Sequence, residues 1–190
     1  MDGLDTNPRL PDSGIRRSGN LEQLEFPLSR IRPARRYPPA DAVEYKVIAL
    51  RDCPLPELLK ECDCPQKAAD YWRLHVASAA NFDPEVETFV VLHLNTRRRV
   101  RGHHIVATGT LDSVQVHSRE VFRAAIVAAS AAILCLHNHP SGDVSPSSAD
   151  LHTTRELVRA GRLLRIEVVD HVIVGADRHS SLKELGFLSE

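Results

Sequence analysis

The chain has 190 residues, 43% of them hydrophobic, and a formal net charge of −1. This length suits one compact domain with a tail, or two very small domains. The hydrophobic content excludes a wholly disordered chain, and the near-neutral charge excludes a strong global attraction to nucleic acid or anionic membranes. The longest apolar run, residues 124–136, is shorter than the roughly 20 residues that a membrane span needs, so we expect no membrane contact.

The amino-terminal residues show no apolar signal region, so nothing predicts export. The four cysteines (Cys53, Cys62, Cys64 and Cys135) are too few for a secreted disulfide scaffold. The spacing of the first three is irregular for a zinc knuckle, and Cys135 is interpreted as a buried strand residue. We therefore expect a cytoplasmic protein with free thiols.

Residues 1–40 contain six of the twelve prolines and seven arginines, with little hydrophobic patterning. This composition predicts an extended or disordered leader. The basic run at residues 30–36 is interpreted as a solvated tail, with contact to nucleic acid or another partner as the alternative. Residues 41–83 are predicted to form a small extension whose role the sequence does not indicate.

Hydrophobic periodicity and turn residues predict alternating strands and helices. The predicted strands are 44–52, 87–96, His103 to Gly109, 132–137 and 166–174. The predicted helices are 65–79 with Pro65 in its first turn, 118–131 capped by Ser118, one from the cap Ser145 and Pro146 to Leu164, and a short closing helix at 180–188. This alternation is typical of an α/β layer structure with a sheet between helices.

The most informative segment is HNHPSGDVSPSSAD, residues 137–150. His137 and His139 are two apart at the end of a predicted strand, so both imidazoles point to one face. Asp150 shares a helical stripe with Thr154, Leu157, Gly161 and Leu164, which should turn its carboxylate toward the sheet. Two histidines and one carboxylate leave a fourth position open, the pattern of a catalytic zinc site.

Each residue of this set also has a simpler interpretation. An aspartate early in a helix is favoured by the helix dipole, and two histidines at this spacing can occur on a protein surface by chance. Asp143 is interpreted as ordering its loop through backbone amides rather than as a ligand. Asp170 and His171 could form a hydrogen-bonded pair behind the metal ligands, or an ordinary core pair.

The spacing of His137, His139, Pro140, Ser147 and Asp150 resembles, without a gap, the signature of the JAB/MPN metalloproteases, which include the JAMM deubiquitinases. The segments GTLDS, SREVF, SPSSAD, AGRLLRI and DHVIVG resemble the RadC-type bacterial branch over roughly residues 84–190. Asn138 fits that branch, because eukaryotic deubiquitinases usually have Ser or Thr there. The resemblance implies an α/β three-layer, cytidine-deaminase-like JAB/MPN fold, with a mixed sheet between helices and a bound Zn²⁺.

The resemblance also implies two catalytic residues. Glu87, followed at one residue's distance by Phe89, matches the family glutamate that takes a proton from the metal's water and passes it to the leaving amine. Its neighbour Glu85 does not fit the pattern. Ser147 matches a serine that helps to hold the oxyanion, and simple hydrogen bonding at the helix start is the alternative.

Three functions follow as hypotheses. The leading one is a zinc-dependent metallopeptidase or isopeptidase acting on a peptide or protein. The second is a non-enzymatic JAB/MPN scaffold, which the complete ligand set disfavours. The third is a RadC-type factor associated with DNA repair or mobile elements, for which the leader arginines are the physical support. HNH nucleases and zinc deaminases are excluded by motif spacing.

Overall fold

The computed structural model describes residues 52–109 and 115–188. After a short 3-10 helix, Glu57–Leu59, the elements in chain order are α1 (Pro65–His75), β1 (Thr88–Leu94), β2 (Val100–Thr108), α2 (Ser118–Val127), β3 (Ala132–Asn138), α3 (Ser148–Leu164), β4 (Glu167–Val174) and β5 (His179–Ser181). No helix in these two ranges is long and apolar enough to cross a membrane.

The five strands form one mixed sheet in the order β2-β1-β3-β4-β5. β1 pairs antiparallel with both β2 and β3, whereas β3 and β4 are parallel and β5 is antiparallel to β4. Every residue of β1 and β3 is buried, which explains why these strands are almost continuously apolar in sequence.

The sheet is covered on both faces. Trp72 and Ala69 of α1 pack on one face against a core that includes Leu92 and Leu136. On the other face α2 and α3 cover a second core, whose members include Phe89, Val91, Phe122, Ile133, Cys135 and Leu157. The predicted three-layer α/β architecture with a mixed sheet is therefore confirmed.

The predicted leader, residues 1–40, lies outside the described residues, as does the predicted strand 44–52 apart from Asp52, which is not in a strand. The proposed division at residue 84 stays a prediction. Within the predicted extension, α1 packs on the central sheet and contributes to its core.

The predicted closing helix at residues 180–188 is wrong. Ser181 is the last residue of β5, opposite Val172 of β4, and its hydroxyl donates to Asp170 Oδ2 at 2.6 Å. A single turn follows, closed by hydrogen bonds such as Leu185 N–H to the Ser181 carbonyl. Gly186 then has φ +83°, a left-handed conformation that ends any helical path.

Two predicted caps are also misplaced. Ser118 is the first helical residue of α2, and the cap position before it is His117, whose side chain makes no cap hydrogen bond. α3 begins at Ser148 rather than Pro146 and is capped by Ser147 rather than Ser145, because the Ser147 hydroxyl oxygen accepts from the Asp150 amide and the Asp150 carboxylate binds the Ser147 amide in return. Pro65 does begin α1, as predicted.

α3 lies close to the sheet because it carries Gly161 on its buried face. A Cβ at this position would lie 2.5 Å from the Ile166 carbonyl oxygen and 3.3 Å from Val168 Cγ2. Any larger residue would therefore push the helix away from β4. This close approach holds the second half of α3 against the start of β4.

A partly buried histidine pair lies on β1 and β2. His93 Nδ1 is 2.9 Å from Ser130 Oγ, and its Nε2 is 2.9 Å from His104 Nδ1. Burial, with smaller effects of the neighbouring His104, His103 and Arg101, lowers the pKa of His93 to about 4. The folded protein therefore holds this ring in the neutral form.

Acid should destabilise the protein through His93. Below about pH 6.5 the unfolded chain binds a proton at His93, whereas the folded chain does not bind one there until about pH 4. The free energy of unfolding should therefore fall by roughly 2 kcal/mol between pH 7.5 and pH 5. Urea unfolding with EDTA at the two pH values measures the loss. His93→Gln should remove this part of the loss and leave the part due to His104 and His171, whose pKa values burial also lowers. His152→Gln, at an exposed position, should leave the whole loss unchanged. Equal losses in all three proteins would contradict the assignment.

Candidate metal centre

Four side chains that the sequence predicted as a site meet at one end of the sheet. Glu87, His137, His139 and Asp150 each offer one ligand atom, and these atoms all lie within 4.8 Å of one another. The two Nε2 atoms of the histidines are 2.9 Å apart. Asp150 Oδ1 is 3.1 Å from His137 Nε2, and its Oδ2 is 3.4 Å from His139 Nε2. Glu87 Oε1 lies farther out, 3.8 Å from His137 Nε2.

Three elements bring these groups together. His137 alternates with Ile133 and Cys135 along β3, so its ring points to the face that α3 covers. Antiparallel pairing of Phe89 with His137 places the start of β1, and with it Glu87, beside the end of β3. The sheet register therefore brings together residues that are remote in sequence.

Asp150 reaches the site from the first turn of α3. It lies on the predicted inward stripe with Thr154, Leu157 and Gly161, all of which are buried. Leu164, the last member of that predicted stripe, is 43% exposed. The inward orientation of the Asp150 carboxylate, inferred from helical periodicity, agrees with the structure.

Ser147 and Asp150 form a capping box at the start of α3. The Ser147 hydroxyl and amide both donate to Asp150 Oδ2, at 2.6 and 2.7 Å, and the Asp150 amide donates to Ser147 Oγ at 3.1 Å. The capping interpretation of Asp150 is therefore confirmed. Its role as a metal ligand stays a prediction, with which its position facing the histidines is compatible. The oxyanion role of Ser147 stays a prediction, and it requires the hydroxyl proton to turn away from Asp150.

The donor set suits a divalent cation. His139 Nδ1 lies 2.6 Å from the Asp143 carbonyl oxygen, which can only accept, so Nδ1 donates and the neutral ring has its lone pair on Nε2. That lone pair points at His137 Nε2, and two carboxylates that are at most 11% exposed lie beside it. Buried negative charge next to imidazole lone pairs is costly without a cation.

The charges of the cluster affect each other strongly. Burial opposes ionisation of Asp150, but its contacts with His137 and His139, which donate to it when their rings are protonated, outweigh burial and hold the pKa of this carboxyl well below its usual range. The Asp150 carboxylate in turn raises the pKa of His139. Asp150 is therefore a carboxylate at neutral pH, as a metal ligand must be.

The loop between β3 and α3 is held by two contacts. The Asp143 carboxylate accepts from the Ser145 amide, which agrees with its predicted role in ordering the loop. Under the loop, a Cβ on Gly175 would lie 3.0 Å from Val144 Cγ1 and 3.3 Å from the Gly142 carbonyl oxygen. A glycine after β4 therefore lets the loop approach closely enough for the Asp143 carbonyl to bind His139.

The predicted side-chain pair of Asp170 and His171 does not form. Asp170 instead binds Ser181, the Lys183 amide and the backbone amide of His171, and burial raises its pKa. The His171 ring lies on the other side, with Nε2 2.8 Å from His137 Nδ1 and Nδ1 2.6 Å from Thr154 Oγ1. The sequence pattern places Thr154 only on the inward face of the helix. Its hydrogen bond to His171 could not be predicted, because it depends on the docking of α3.

Asn138, between the two histidines, points to the opposite face of the sheet. Its Oδ1 accepts from the Thr88 amide at 2.9 Å, and its Nδ2 donates to the Val86 carbonyl at 3.1 Å. These two bonds hold the backbone on either side of Glu87. Alternation along the strand indicates the face of Asn138, but not this contact.

Asn138→Ala should destabilise the fold by roughly 2–4 kcal/mol, because it leaves the Thr88 amide and the Val86 carbonyl without these partners. Urea unfolding measures the change. Asn95→Ala is the matched control, since Asn95 accepts from two amides in the exposed turn between β1 and β2, where water can replace it. If the loss of unfolding free energy in Asn138→Ala is no larger than in Asn95→Ala, the Asn138 hydrogen bonds do not hold the backbone around Glu87.

Comparison with known proteins gives a family match for most of the chain. The family model described as "RadC-like JAB domain" matches residues 62–187. A UPF0758 protein of Staphylococcus carnosus (strain TM300) is 44% identical over 126 residues, which cover 66% of this chain and 54% of that protein. A UPF0758 protein of Bacillus cereus (strain AH187) is 49% identical over 102 residues, 54% of this chain and 45% of that protein.

The chain thus spans about half the length of the curated relatives it matches. The family match includes α1 as well as the whole sheet, and it contains all four members of the cluster. On that match, the chain belongs to the family of RadC-like JAB domains.

Proposed function

We propose that the protein is a zinc-dependent hydrolase, a metallopeptidase or isopeptidase that cleaves an amide bond in a peptide or protein. The observation that carries the proposal is the convergence of His137, His139 and Asp150 on one point, with the carboxylate of Glu87 just beyond them. Two nitrogens and one oxygen are a common ligand set of catalytic zinc, which keeps one position open.

The three ligands would be His137 Nε2, His139 Nε2 and Asp150. A zinc ion held there would supply Lewis acidity, polarising the scissile carbonyl and lowering the pKa of a water to about 7. Ser147 keeps Asp150 oriented through its amide and hydroxyl. The short contacts between the three ligands mean that little rearrangement is needed to accept the ion.

Glu87 is the proposed general base and acid. Its carboxylate oxygen is 3.8 Å from His137 Nε2, farther than that of Asp150, which suits a group that acts on the water and not as a ligand. The carboxylate takes a proton from the attacking water as the carbon–oxygen bond forms. It then gives that proton to the amide nitrogen as the carbon–nitrogen bond breaks, so the products are a carboxylic acid and an amine.

The proposal is tested first by metal content. The full chain, stripped with a chelator and dialysed against zinc, should bind close to one zinc per chain by elemental analysis. Digestion of a random peptide mixture and of lysine-linked isopeptides, read by mass spectrometry for new amino groups, then identifies the bond class. A folded protein that takes up no zinc would refute the proposal, and zinc without turnover of any probe would favour the scaffold alternative.

A further inference from the structure

A buried row of hydrogen bonds runs from His137 into α3. His137 Nδ1 is 2.8 Å from His171 Nε2, His171 Nδ1 is 2.6 Å from Thr154 Oγ1, and Thr154 Oγ1 is 2.6 Å from the Asp150 carbonyl oxygen. All three side chains are at most 1% exposed. Water is therefore excluded from the row, and each N–H or O–H of these side chains must be accepted by another group of the row.

The donor of each hydrogen bond in the row can be assigned by starting from the Asp150 carbonyl oxygen. A carbonyl oxygen only accepts, so the single Thr154 hydroxyl proton goes to the Asp150 carbonyl, a common bond of a buried helical threonine. Thr154 Oγ1 can then only accept from His171, which places a proton on His171 Nδ1. The row thus begins at a fixed acceptor in the backbone of α3.

The same argument assigns the proton of His137 in the candidate metal centre. His171 lies in an apolar setting, with its ring 5.2 Å from that of Phe89, and burial favours the neutral ring. A neutral His171 with its proton on Nδ1 has a lone pair on Nε2, so His137 Nδ1 must donate to it. The proton of His137 is then on Nδ1, and its Nε2 lone pair points into the cluster.

We propose that Thr154 and His171 are positioning residues that fix the Nδ1-protonated form of His137, so that Nε2 is ready to bind the metal. The inference rests on the proposed zinc site, and it adds two residues that do not touch the ion. Because Thr154 is one turn after Asp150 on α3, the helix that supplies the carboxylate ligand also sets the proton on a histidine ligand.

Zinc affinity tests the row. Thr154→Val keeps the shape of the side chain and removes the hydroxyl, so the proton of His171 is no longer held on Nδ1. Competition with a chromophoric chelator should show zinc binding weakened by about 10- to 100-fold, whereas Thr154→Ser should bind within threefold of wild type. Thr153→Val, the same exchange at the adjacent helical position, should also have no effect. Equal affinities of Thr154→Val and wild type would overturn the proposal.

Nuclear magnetic resonance gives a second readout that needs neither zinc nor a variant. Long-range proton–nitrogen spectra of the zinc-free full chain at pH 8 should show a protonated Nδ1 and an unprotonated Nε2 on both His137 and His171. A proton on Nε2 of either ring would overturn the inference, even where zinc binds. Failure of the wild type to bind zinc would refute the proposed function instead, and the spectra would still decide the direction of the row.

Discussion

Replacing Glu87 with glutamine is expected to reduce turnover of any amide substrate that the wild type cleaves by two to four orders of magnitude. The amide keeps the size of the side chain but cannot take a proton from water. Glu87 is the outermost member of the cluster, 3.8 Å from His137 Nε2, so zinc should remain bound at one per chain. Initial rates and metal content, measured on the same preparation, separate the two effects.

Glu85→Gln is the matched control for this experiment. Glu85 lies two residues earlier and is exposed, and it is not part of the cluster. Its variant should keep the wild-type rate. A Glu87→Gln protein that retains zinc and full activity would refute the role of Glu87 as proton carrier while leaving the metal site intact.

Asp150→Asn is expected to weaken zinc binding by more than about 100-fold, beyond the effect of losing an outer hydrogen-bond partner. The substitution removes the negative charge that faces both histidines. The asparagine oxygen can still accept from Ser147, so α3 should keep its start. Chelator competition measures the affinity, and circular dichroism reports whether the helix is retained.

Asp143→Asn provides the comparison in the same loop. Asp143 binds the Ser145 amide through its side chain and His139 through its backbone carbonyl, and both contacts survive the change. Its zinc affinity should stay within a few-fold of wild type. If the two variants bind zinc equally well, Asp150 acts as a helix cap and not as a ligand.

Much of this structure could be predicted from the sequence. The strands β1 and β3 follow from their apolar runs, and the inward face of α3 follows from the spacing of Asp150, Leu157 and Gly161. The histidine pair was visible because alternation along a strand is local. Each of these features depends on neighbours along the chain, where periodicity is a strong signal.

The features that the sequence did not predict depend on contacts between distant segments. The residues after β5 look helical, but the Asp170 carboxylate binds Ser181 and the Lys183 amide and holds them as a strand end and a turn. The start of α3 is set by Ser147 and not by Ser145, because Ser147 forms a capping box with Asp150. The link from Thr154 to His171 requires the helix to be docked on β4.

The antiparallel pairing of β1 with β3 has a consequence for how the metal and the fold affect each other. His137 and His139 remain neighbours in an unfolded chain, but Glu87 and Asp150 join them only after the register of β1 on β3 is set and α3 has docked. Non-local pairing of this kind forms late and slowly. Zinc should therefore act as a ligand of the finished sheet, adding about 1.4 kcal/mol of stability for each tenfold rise in free zinc above its dissociation constant, and it should slow unfolding more than it speeds folding.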